Sequence, residues 1–114
     1  MTDTAPIQGV YLRFFVHENR RHGGVLLYDW LLAEAKKLGL PGGTAFRSVA
    51  GFGRHGVTHE ASFLELAGQE AVRVDFVVSR AQADAMLAHI RATGPEMLYA
   101  MFPTEFGTLG GATA

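Results

Sequence analysis

The residues with the most chemical reach in this 114-residue chain form one run, Gly51-Phe52-Gly53-Arg54-His55-Gly56-Val57-Thr58-His59-Glu60. Glycines at 51 and 53 permit positive φ and let backbone N–H groups approach a ligand closely. Successive N–H groups in such a turn make an anion-binding nest, and Arg54 sets a forked cation beside it. The plainer reading is a bulged strand end whose glycines only allow the bend. A short Gly-x-Gly does not by itself decide between the two.

The histidines are the next candidates. His55 and His59 are four apart, a metal spacing only on a helix, which Gly53, Gly56 and Val57 oppose. Together with His17 and His22 they allow a three-histidine site across subunits. The competing reading is solvated loop histidines, or hydrogen-bonding partners of a bound ligand. Glu18 and Glu60 beside His17 and His59 could in principle make an acid–base pair. No nucleophile–base–orienter spacing or cofactor fingerprint accompanies them, so an enzyme is not expected. Arg20-Arg21-His22 reads as a solvated loop or a face for an acidic partner.

Composition removes several other chemistries. The chain has no cysteine, which excludes disulfides, thiolate nucleophiles, Cys-ligated zinc and iron–sulfur clusters. Ten Lys+Arg against eleven Asp+Glu leave a formal charge of −1, too little positive surface for a duplex nucleic acid. No apolar run approaches the ~20 residues of a membrane helix. Met1 to Pro6 carries neither a basic nor an apolar stretch, so a cytoplasmic location is expected.

Two halves of the order strand, helix, strand would position these residues. Val10 to Val16 alternates, with Val10, Leu12, Phe14 and Val16 on one face. His17 to Gly24 is a polar loop ended by glycine. Val25 to Leu38 has helical spacing, its apolar stripe made by Leu27, Trp30, Leu31, Ala35 and Leu38, and Gly39-Leu40-Pro41 ends it. Thr44 to Phe52 reads as the second strand. After the long interruption of 53 to 71, Val72 to Val78 alternates as a third strand. Ser79-Arg80-Ala81-Gln82 has the form of a capping box and opens a helix to about Arg91 that buries Ala83, Met86, Leu87 and Ile90. Thr93-Gly94-Pro95 closes it, and Met97 to Phe102 is the last strand.

With right-handed crossovers, this order predicts an α+β, ferredoxin-like βαββαβ sandwich: a four-stranded antiparallel sheet with two helices on one face. Residues 10–107 would form a single domain, with a flexible N-terminus (1–9) and a flexible tail (108–114). The uncovered face would carry Tyr11, Phe15, Phe46, Val77 and Tyr99, so burial by oligomerisation is expected.

Gly51-Phe52-Gly53-Arg54 at a strand end resembles the base of the T-loop in PII signalling proteins. The stretch from Gly42 to Gly53, with Leu27-Tyr28-Asp29, Lys37-Leu38-Gly39-Leu40 and His59, is similar to the PII-like group catalogued as domain of unknown function 190. That resemblance implies a cytoplasmic regulatory homotrimer. It would bind an adenine nucleotide as effector in clefts between subunits, without any required cofactor. A mobile loop would signal occupancy to a partner protein, such as a membrane transporter or an enzyme. By position, Gly43, Thr44, Arg47, Gly51, Phe52, Gly53 and Arg54 would line the cleft. The alternatives are a metal-binding CutA-like trimer and a ligand-free structural trimer.

The chain departs from PII proteins where they hold phosphates. Their Gly-Asp-Gly-Lys turn is here Thr93-Gly94-Pro95-Glu96, and the only lysines are Lys36 and Lys37. Ala45 stands where PII proteins present an adenine-contacting threonine, with Thr44 beside it. The T-loop is shorter and has no match for the tyrosine that some PII proteins modify. A magnesium triphosphate needs several cations in a glycine-rich cradle, so AMP, ADP or a cyclic nucleotide is favoured over ATP.

Overall fold

The computed structural model describes residues 3–52 and 71–110. The expected site residues Gly53 and Arg54, and His55 and His59, lie outside the described residues. Among the described residues eight elements follow in order: β1 (Ile7–His17), β2 (Arg21–His22), β3 (Val25–Leu26), α1 (Leu27–Lys37), β4 (Thr44–Arg47), β5 (Ala71–Ser79), α2 (Arg80–Thr93) and β6 (Leu98–Phe106). The sheet order is β4-β5-β1-β6, with every neighbouring pair antiparallel. β1 and β4 therefore run parallel with β5 between them, and β5 and β6 run parallel with β1 between them. This is the ferredoxin-like α+β order expected.

Alternation builds the core. Val10, Leu12, Phe14 and Val16 of β1 and Val72, Val74, Phe76 and Val78 of β5 are all buried on the helix side. Leu27, Leu31 and Ala35 of α1 and Ala83, Met86, Leu87 and Ile90 of α2 close over them. Phe14 and Phe76 meet edge-on with ring centroids 6.1 Å apart. Each fully buried side chain of this size contributes about 1.5–3 kcal/mol.

The helix ends follow their local chemistry. At the end of α1, Leu40 N–H donates to Ala35 O and Gly39 N–H to Lys36 O, with Gly39 at φ +85°. That pairing is a Schellman motif, and buried Leu40 makes its apolar contact. Leu38, expected in the stripe, is exposed instead. At the start of α2, Gln82 N–H donates to Ser79 Oγ at 3.1 Å and Ser79 N–H to Gln82 Oε1 at 3.0 Å. Ser79→Ala breaks the first of these bonds, and we expect a loss of about 1 kcal/mol, measurable by chemical denaturation.

Four boundaries differ from the pattern-based expectation. β4 stops at Arg47 rather than Phe52, and residues 48–52 leave the extended strand. Ser48 N–H still donates to Ala71 O, and after it Val49 and Phe52 are almost fully exposed. The loop 17–24 contains a small hairpin. Gly23 and Gly24, both at positive φ, make the two-residue turn between His22 and Val25. β1 begins at Ile7, and β6 runs on to Phe106. At the chain ends, Thr4 N–H donates to Thr108 O and Gly110 N–H to Asp3 Oδ1, joining residues 3–4 to residues 108–110.

β6 is an edge strand that tolerates Pro103 opposite Val10. Tyr99 is a further correction. It pairs with Phe14, so it lies on the helix side of the sheet, not on the uncovered one. Leu98 and Phe102, partners of Phe15 and Tyr11, occupy the uncovered side in its place.

Candidate functional site

The uncovered sheet face is built around one buried carboxylate. Asp75 sits mid-strand in β5, only 5% exposed, opposite Arg13 on β1 and Thr44 on β4. Its Oδ1 accepts from Arg13 Nε at 3.0 Å, and its Oδ2 accepts from Tyr11 Oη at 2.9 Å. Arg73 Nε forms a further ion pair with Oδ2 at 3.2 Å. Hydrogen bonding to Asp75 holds the Arg13 guanidinium above its ordinary pKa, so it stays charged at every working pH. The guanidiniums are also held over rings, Arg13 over Tyr11 and Phe102 and Arg73 over Phe46. Two arginines face one carboxylate, which leaves one net positive charge on an otherwise apolar face.

The residues expected to line a ligand cleft start where β4 starts. Gly43 packs its α-carbon against the Phe76 ring and Leu32, where no Cβ would fit. Thr44 opens β4 and shares the uncovered face with Phe46, while the register sends Arg47 to the opposite face. Arg47 Nε lies 3.2 Å from Glu18 Oε1. Arg47 and Ser48 also line a hollow of about 230 Å³ with Phe15, Phe46, Ala71 and Arg73. Gly51 and Phe52 follow beyond the strand end, with Phe52 93% exposed.

The structure therefore sets Arg73 and Phe46 on the uncovered face at a hollow that Arg47 and Ser48 edge, while the Arg47 guanidinium turns to Glu18 and Thr44 is separated from it across the strand. Arg73 was missed as a candidate, although a basic residue within the alternating Val72–Val78 run is a visible signal. The Asp75 network was missed because it depends on strand register. At the turn that lacks a lysine, Arg20 brings a cation by donating through its guanidinium to the Glu96 main-chain oxygen. Among the described residues no three His, Asp or Glu side chains stand close enough to hold a metal. His22 lies with its ring against Trp30. No helix among the described residues is long and apolar enough to cross a membrane.

The fold is a ferredoxin-like α+β sandwich with one sheet face uncovered. A crystal structure described as "a putative PII-like signaling protein", from Thermus thermophilus, superposes with a TM-score of 0.55. It is 15% identical, and the match covers 96% of this chain and 94% of that one. A UPF0166 protein from Aquifex aeolicus (strain VF5) is 30% identical over 80 residues, 70% of this chain and 76% of that protein. The family DUF190, described as "Uncharacterized ACR", matches residues 9–106. The chain belongs to that family.

Proposed function

We propose that this protein is a PII-like regulatory protein that binds an adenine nucleotide between subunits of a homotrimer. The observation that carries the reading is the exit of the chain from β4. There the run Ser48 to Phe52 leaves the sheet exposed, beside a hollow edged by Arg47 and Arg73. A cationic fork from Arg73, a serine hydroxyl and aromatic rings are groups that suit a nucleotide monophosphate or diphosphate. Gly51, Phe52, Gly53 and Arg54 continue from that point and would wrap the phosphate. Subunit association would cover the apolar sheet face, and residues 54–70 would carry the signal to a partner protein in the cytoplasm. No catalytic step belongs to this reading.

Calorimetry with AMP, ADP, cyclic AMP and ATP tests it, with melting curves in parallel, since a ligand of the native state raises Tm by mass action. Arg54→Ala is expected to weaken nucleotide binding by about 1.5–3 kcal/mol, roughly tenfold to a hundredfold. Its folding stability should change by less than about 0.5 kcal/mol. Absence of heat and of any melting shift with all four nucleotides would favour the ligand-free structural trimer. A strict monomer in light scattering would remove the intersubunit site.

A further inference from the structure

We infer that His89 works as a proton-operated clasp between α1 and α2, with Trp30 lying against its imidazole as a built-in reporter of its charge.

The clasp is assembled by helical spacing. Trp30, Glu34 and Lys37 are four and three residues apart on α1 and so share one face. His89 on α2 meets that face: its Nε2 lies 2.7 Å from Glu34 Oε1, while Lys37 Nζ donates to Glu34 Oε2 at 3.1 Å. The imidazole is stacked on the Trp30 ring at 6.0 Å between centroids and 14° between planes. His22, from the β2–β3 hairpin, approaches Trp30 from another direction, edge-on at 4.7 Å. Within α2 the neighbours one turn from His89 are Ala85, Met86, Ala92 and Thr93, none of them titratable. Among the described residues, the ionisable groups facing His89 are therefore Glu34 directly, Lys37 behind that carboxylate, and His22 across the indole.

Glu34 is held ionised. The hydrogen bond from His89, and then the one from Lys37, push its pKa below the ordinary carboxylate value. A lowered carboxylate contributes stability that is complete above its ordinary pKa and lost only as pH falls through the lowered one. The carboxylate is thus constant above its ordinary range, so the proposed switch acts on its histidine partner, the side-chain type suited to a charge change near neutral pH. A neutral His89 donates one N–H to Glu34. When protonated it turns the same contact into a charge-assisted bond, shorter and about twice as strong. The indole face adds attraction to a cation lying over it. Protonation draws α2 onto α1, the helix that passes the chain to β4 through residues 38–43. The clasp is independent of nucleotide binding.

Trp30 is the sole tryptophan, so fluorescence of the intact protein reads the site directly. Emission is expected to fall from pH 8 to pH 5, because an imidazolium quenches indole more than an imidazole does. His89→Gln should remove most of that fall, and His22→Gln should keep it. Amide exchange in α1 and α2, corrected for intrinsic rates, should be roughly fivefold slower at about pH 5.5 than at about pH 7.5. Glu34→Gln leaves His89 and Trp30 in place but removes the anion, so it should keep a fluorescence step and lose the exchange difference. A flat fluorescence profile, a step that vanishes with His22→Gln alone, or equal exchange at the two pH values in the unaltered protein would overturn the clasp.

Discussion

Replacing Asp75 with alanine is expected to lower folding stability by about 3 kcal/mol, the lower end for breaking a buried ion pair by removing one partner. The substitution leaves the Arg13 and Arg73 guanidiniums facing each other on one sheet face, and takes from Tyr11 Oη its acceptor. The loss stays at that lower end because Arg13 and Arg73 have side chains 24% and 40% exposed, so water compensates part of the lost charge. Melting at fixed protein concentration should show a fall of roughly 10 °C. Asp75→Asn can keep a partner for Tyr11 but not the charge, and should fall between the two proteins. A loss under about 0.5 kcal/mol for Asp75→Ala would mean that the network is a solvated surface cluster.

Gly43→Val is expected to cost about 1–3 kcal/mol through overpacking. A Cβ there would overlap the Phe76 ring and meet Leu32 Cδ2 at 3.0 Å, and Phe76 is too deeply buried to yield. Its neighbour Gly42 has open space around the equivalent position, so Gly42→Ala should stay within about 0.5 kcal/mol. The comparison is made on the protein without nucleotide. A loss there assigns Gly43 to packing. If Gly43→Val melts normally and only nucleotide affinity falls, its importance is at the ligand.

The fold was legible where apolar residues keep a strict phase. β1 and β5 bury every second residue, and the signals at Ser79–Gln82 and Gly39–Leu40 each specify a helix end by hydrogen bonds local in sequence. Legibility failed where phase was missing or partners were remote. In Leu98-Tyr99-Ala100-Met101-Phe102 both faces carry large apolar side chains, so only pairing with β1 decides that Tyr99 faces the helices. The apolar spacing of Phe46, Val49 and Phe52 did not reveal that the strand ends at Arg47. The Gly-Gly turn was visible, but two-residue flanks are too short to declare a hairpin. As for the candidate site, residues near the β4 exit were named from local chemistry. Arg73 and Asp75 belong to a neighbouring strand, and only the register brings them there.

The proline in β6 makes the two margins of the sheet unequal. Position 103 has no N–H to offer an incoming strand, so a ladder added along the nine residues of β6 would be broken in its middle. At the other margin, β4 offers four residues without such a gap, but its length limits the hold on a stranger. Lateral growth of this sheet is thus discouraged on one side by chemistry and on the other by shortness. Edge-to-edge addition of strands is disfavoured at β6 even though one face of the sheet carries so much apolar surface.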